Sequence, residues 1–341
     1  MHVAGGVMSI SMRSNQHGKA ASMSSTPDFP TLQEAAEWFA LLRADDANSR
    51  DRQRWQIWLD AEPSHREAWR KVEAVNEQFT VLPAEVARDA LSATGTQRRK
   101  LAKRLALLCL ATSAGGLLAT RAPRDYLAAL NARYRTDIGI TQKIVLADGS
   151  QMWLNTASAA DVYFTDNLRR IVVHKGEVLI ETAPDHHAPK RPLVVDVKDG
   201  RLRALGTRFT VRPSDKGTHL AVLQGAVSVE PADGAATRVI AAGSETTFGS
   251  NWIGQPVATN ESSTSWSRNM LMPDNMRLAD FLDELSRYRR GYIACSPEVA
   301  DLRLVGVYPL ADTDRVLAAL TASLPIKVRR ILPWWISVEP A

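Results

Sequence analysis

Histidines beside a carboxylate are the first place to look for metal chemistry, and this chain has Asp185-His186-His187 in a row. The three lie between Pro184 and Pro189, in an expected loop where adjacent side chains of extended backbone point apart. They therefore do not converge on one ion, and neither a metal nor any other cofactor is expected. Asp148 and Glu177 could be imagined as the paired carboxylates of a glycan hydrolase. Asp148 precedes Gly149 and Glu177 follows Gly176, so hairpin turns account for both without chemistry. Of the two cysteines, Cys109 sits in the most apolar stretch and Cys295 far downstream, a poor arrangement for a bridge. The chain carries no nucleophile motif, phosphate loop or zinc spacing. These absences favour a protein that binds and relays over one that catalyses.

The residue types that could bind are aromatic. Trp38, Trp55, Trp58 and Trp69 fall within a short stretch. Thr31-Leu32-Gln33-Glu34 has the form of a capping box, and Ala35, Trp38, Phe39 and Leu42 follow at helical spacing. Trp55, Trp58 and Leu59 predict a second helix. Ser64-His65-Arg66-Glu67 opens a third that carries Ala68, Trp69, Val72, Val75 and Phe79. Three short helices make a marginal unit, which is expected to complete its core against a partner. Between Thr31 and Ala90 there are 12 Asp or Glu against 8 Lys or Arg. That sign is wrong for gripping phosphates. It disfavours a membrane-tethered DNA-binding regulator and suits a basic protein partner instead.

The elements that must hold these residues divide at Leu105–Thr120, LALLCLATSAGGLLAT, the one long stretch without a charge. As a helix it would span about 24 Å, short of a bilayer core of about 30 Å. Lys103, Arg104 and Arg121 can snorkel to the interface and make up the difference. Arg98, Arg99, Lys100, Lys103 and Arg104 precede the run, whereas Arg121 and Arg124 are diluted by Asp125. The positive-inside bias then places the N-terminus in the cytoplasm. Arg98 and Arg99 also have the form of a twin-arginine export signal. Gly115 and Gly116 weaken the middle of the helix, which suits an intramembrane protease or simple helix packing.

Beyond the run the apolar period becomes alternating. β-prone segments end at Gly149, Gly176, Gly200, Gly225 and Gly243, separated by 27, 24, 25 and 18 residues. Such spacing predicts stacked strand-turn-strand units, a solenoid-like or sandwiched β domain, with glycine supplying positive φ at hairpin turns. From Trp266 the pattern reads strand-helix-strand, then strand-helix-strands. Leu278, Phe281, Leu282 and Leu285 form one helical stripe and Val316, Leu317 and Leu320 another, with strands at 304–307 and 326–328.

Several stretches carry a resemblance. Asp148-Gly149-Ser150, Trp153-Leu154-Asn155 with Ser158, Gly176-Glu177-Val178, Pro192-Leu193-Val194-Val195, Leu205-Gly206-Thr207-Arg208-Phe209 and Gly225-Ala226-Val227 resemble, in order, the periplasmic domain of the FecR family. The helical stretch from Ala35 to Val75, with Trp58 to Trp69 at its centre, resembles that family's cytoplasmic domain. The tail resembles the small βαβ signalling fold at the N-termini of secretins and TonB-dependent transporters, with Asn269 where glycine is usual.

The resemblance implies an anti-sigma factor of the inner membrane, single-pass, with its N-terminus cytoplasmic and its C-terminus periplasmic. The expected organisation is a leader at 1–30, a helical sigma-binding domain at 31–87, a basic linker at 88–104 and a transmembrane helix at 105–121. An all-β periplasmic domain at 137–250 and an α+β C-terminal domain at 263–341 follow. An extracytoplasmic-function sigma factor would be held by Trp38, Phe39, Leu42, Trp55, Trp58, Leu59 and Trp69. A TonB-dependent outer-membrane transducer, in the setting of iron-siderophore uptake, would meet Leu278, Leu282, Tyr288, Val305 and Val307. Site proteases would cut the anchor once the signal arrives. A membrane-anchored periplasmic β-solenoid glycan hydrolase is the enzymatic alternative.

Overall fold

The computed structural model describes residues 27–43, 48–77, 128–259 and 261–341. The expected membrane helix at 105–121, the linker at 88–104, Arg98, Arg99, Phe79, Cys109 and most of the leader lie outside the described residues. Among the described residues no helix is long and apolar enough to cross a membrane.

The N-terminal unit is three helices, α1 Phe29–Arg43, α2 Ser49–Ala61 and α3 Pro63–Glu77. α1 starts before Thr31 because Asp28 supplies the cap: its Oδ1 accepts from the backbone N–H of Thr31 at 3.0 Å. Thr31 is therefore not the capping residue. α2 closes a capping box that the sequence reading did not pick out. The Asn48 side chain accepts from Arg50 and Asp51, and the Asp51 side chain takes the Asn48 N–H. Leu32, Ala35, Ala36 and Phe39 of α1 pack with Ala68 and Val72 of α3 in one small core.

The large unit is built from β1 Tyr134–Arg135, β2 Gln142–Val145, β3 Gln151–Leu154, β4 Ala159–Phe164, β5 Arg169–Lys175, β6 Val178–Glu181, β7 Leu193–Val197, β8 Gly200–Ala204, β9 Arg208–Ser214, β10 Gly217–Gln224, β11 Ala226–Pro231, β12 Arg238–Ala241, β13 Ser244–Gly249, β14 Trp252–Ile253 and β15 Val257–Ala258. One sheet runs β1-β4-β5-β7-β8-β11-β12 and the other β14-β13-β10-β9-β6-β3-β2, with β15 on β13. The chain lays down one or two strands in one sheet, crosses to the other, and advances steadily along both. The result is a sandwich wound in the manner of a solenoid. Ile171, Val195, Leu202 and Val227 of the first sheet meet Met152, Ile180, Phe209 and Leu220 of the second in a shared core.

Not every spaced glycine marks a hairpin. Gly149 and Gly200 turn β2 into β3 and β7 into β8, but Gly176, Gly225 and Gly243 sit where the chain passes between sheets. Gly176 has φ +81° and its Cα faces Ser158 so closely that a Cβ would collide with that residue.

The C-terminal unit follows a 3-10 stretch, Glu261–Arg268, with β16 Met270–Leu271, β17 Met276–Arg277, α4 Leu278–Ser286, β18 Tyr292–Cys295, β19 Arg303–Leu304, β20 Tyr308–Pro309, α5 Thr313–Ser323, β21 Ile326–Leu332 and β22 Trp335–Pro340. β22 pairs in parallel with β18 and antiparallel with β21. Asn269 has φ +59°, a left-handed conformation that asparagine tolerates better than most residues. That explains how it stands where glycine is usual. The strand expected at 304–307 is shorter, since Val305 and Val307 lie between β19 and β20.

Alternation along two strands joins the units. On β3, Met152 and Leu154 face the sandwich core, while Trp153 between them faces the other way. On β6, Val178 and Ile180 do the same and Leu179 joins the core of the C-terminal unit with Phe281, Leu282 and Ile336. Burying Leu179 there contributes about 2 kcal/mol. The helical unit in turn packs on the β21–β22 hairpin. Phe39 lies 5.6 Å from Trp334, ring edge to face, and Arg329 reaches Glu37 at 3.0 Å.

Candidate functional site

Neither proposed chemical cluster assembles. Arg191 takes both carboxylate oxygens of Asp185, at 2.9 Å and 3.2 Å, and holds that carboxyl well below the usual carboxylate range. His186 and His187 are exposed, and no group of metal-ligating side chains forms among the described residues. Asp148 is buried against Arg169 at 2.8 Å and accepts from the Ser150 N–H and hydroxyl, the bonding of a turn. Glu177 is not in a hairpin. It follows a sheet-to-sheet corner and is buried.

Glu177 belongs to a polar joint between the sandwich and the C-terminal unit. Its Oε2 accepts from the Arg287 guanidinium at 2.7 Å and from Asn155 Nδ2 at 2.9 Å. The same Asn155 nitrogen donates to the Tyr288 hydroxyl at 2.9 Å. Arg287 also pairs with Glu284, which Arg212 of β9 meets at 3.1 Å. Burial works against the charge on Arg287, but the Glu177 and Glu284 carboxylates more than offset it and raise its pKa. Burial pushes the Tyr288 hydroxyl up. Beside this joint lies a cleft of about 380 Å³ lined by Arg212, His219, Glu245, Trp266 and Phe281. There His219 holds the Glu245 carboxyl below its usual range.

The joint decides what the tail can offer a partner. Leu278 and Leu282 are fully buried core residues and Tyr288 is 4% exposed, so these three do not face outward. Val305 at 73% and Val307 at 55% exposure do. The sequence reading missed Arg287, Glu284 and Arg212 altogether. Asn155 and Glu177 belong to the short motifs Trp153-Leu154-Asn155 and Gly176-Glu177-Val178, but Arg287 lies 110 residues from Glu177 and no local pattern marks it.

In the helical unit Phe39 is buried, and Trp38, Leu42, Trp55, Trp58, Leu59 and Trp69 are half-buried. Trp69 touches both Phe39, at 5.6 Å, and Trp55, at 4.9 Å. Trp58 stacks on His65 at 4.4 Å and donates its indole N–H to Glu34 at 2.7 Å. Trp38 with Leu41, Glu34 and Glu37 lines a shallow apolar and acidic groove on α1, and Ile57 of α2 is 66% exposed. Of the seven expected residues, Phe39, Trp55, Trp58 and Trp69 contact one another or the unit's core, while Trp38 lines the groove. Leu41 and Ile57, outside the expected set, are exposed apolar side chains.

Residues 132–228 match the FecR protein family, and residues 33–75 match a domain of unknown function, DUF4880. Among curated proteins none matches. Two crystal structures of a proposed anti-sigma factor from Parabacteroides distasonis, at 2.50 and 1.65 Å, are 19% identical to the chain. They cover 61% of this chain and 98% of that one, with TM-scores of 0.48 and 0.49. The likeness to the FecR family thus covers the sandwich from residue 132 to 228, and the likeness to the domain of unknown function covers the helical unit.

Proposed function

We propose that this chain is an anti-sigma factor of the inner membrane. Its helical unit binds an extracytoplasmic-function sigma factor in the cytoplasm, and its exported units receive a signal from a TonB-dependent outer-membrane transducer. The observation that carries the reading is an order: a DUF4880 match at 33–75, the uncharged Leu105–Thr120 run with basic residues before it, then a FecR match at 132–228. The acidic, apolar groove around Trp38 and Leu41 suits a basic partner. Iron-siderophore uptake is the setting the family resemblance implies, and proteolysis of the anchor would release the helical unit with its sigma factor. Asp148 and Glu177, each held in an ion pair, offer little to the hydrolase reading.

In cells that carry the chain and a sigma factor encoded beside it, the sigma factor is expected to sediment with the membranes. Trp38→Ala with Leu41→Asp should return most of it to the soluble fraction. A sigma factor that stays soluble beside the wild-type chain overturns the proposal. Salt-sensitive duplex binding by the chain would favour the DNA-regulator alternative instead.

A further inference from the structure

A tryptophan in a hairpin turn is ordinarily wet, yet Trp334, in the turn between β21 and β22, is only 7% exposed. Phe39 of α1 lies against it, and Ile331, Leu332 and Tyr292 join the same apolar cluster as Leu32 and Ala36. The charges are matched as well. Arg329 bridges Glu37 of α1 and Glu339 of its own hairpin, so an acidic helix rests on a basic strand. A chain that crosses the bilayer once between 77 and 128 holds these two surfaces on opposite sides. The packed arrangement is thus open to the chain only while both parts share a compartment, which is its condition between synthesis and export.

We infer that the β21–β22 hairpin is an export-released mask. It seats on α1 of its own chain and withholds the helical unit from other proteins until the C-terminal unit has left the cytoplasm. Export frees Glu37, one wall of the groove beside Trp38 and Leu41, from Arg329, and uncovers the Trp334-facing edge of Phe39, which otherwise stays in the helical core. An exported part that folds first, as a twin-arginine route would require, has the mask ready in time. The inference rests on the proposed sigma-binding role and adds a condition to it: an inserted chain competes for the sigma factor about ten-fold better than one not yet exported.

The test uses the intact chain in two settings, with titration of a sigma factor encoded beside it. In detergent the two parts share one solvent. There Arg329→Glu with Trp334→Ser is expected to bind the sigma factor roughly ten-fold more tightly than wild type, the worth of one aromatic contact and an ion pair. In membrane vesicles with the cytoplasmic face outward, the variant and wild type should bind alike. Equal binding in detergent overturns the mask and leaves the proposed function standing. Absence of binding in both settings removes the sigma role. Amide exchange of residues 29–43 in detergent then decides the contact by itself: it should quicken in the variant, and unchanged exchange overturns the mask.

Discussion

At the scale of single residues, the joint around Glu177 turns on one carboxylate that satisfies both Arg287 and Asn155. Removing one member of a buried ion pair leaves the other charge uncompensated, whereas removing both can be nearly neutral. Arg287→Met is therefore expected to cost about 3 kcal/mol, and Glu177→Gln with Arg287→Met clearly less than the sum of the two single changes. Urea unfolding of the four proteins measures this, and additive losses would mean the pair is not coupled. The sequence offered half of this joint. Asn155 and Glu177 were visible because short motifs surround them. Arg287 was not, because its role comes from the docking of two units and leaves no mark among its neighbours in the chain.

At the scale of elements, alternation was readable wherever one strand face is buried. It gave the β region and the two helical stripes of the tail, since Leu278, Phe281, Leu282 and Leu285 all enter one core. It could not tell a hairpin from a corner between sheets, because both require glycine with positive φ. It also could not separate a scaffold tryptophan from a contact tryptophan, as a partly buried aromatic at helical spacing serves either use. The glycines themselves differ in what surrounds them. Gly176 and Gly243 have φ of +81° and +78°, but a Cβ at Gly176 would strike Ser158 while nothing lies within 4 Å at Gly243. Gly243→Ala should lose about 1 kcal/mol, the cost of left-handed backbone alone. Gly176→Ala should lose several-fold more or fail to fold. Similar thermal midpoints for the two would refute that collision.

At the scale of the whole molecule, the membrane reading rests on the Leu105–Thr120 run and its flanking charge, both plain in the sequence. The chain is expected to resist extraction from membranes by alkaline carbonate, and Leu108→Arg with Leu117→Arg to release it. A reporter enzyme active only in the periplasm, fused after residue 130, should be active in the wild type and silent in that variant. Carbonate release of the wild type would contradict a single crossing. What no sequence pattern foretold is the way the last unit folds back. Its Arg287 carbonyl accepts from the Thr156 hydroxyl at 3.0 Å, its Asn269 side chain accepts from Thr141 at 2.5 Å, and the Tyr288 carbonyl sits close over Gly139. The end of the chain is thereby fastened to the first strands after the expected span. A tug on the terminal unit would reach the start of the sandwich at residues 139–156 directly, short-circuiting the strands in between, as a pull-cord runs past the floors of a building to the bell at its foot.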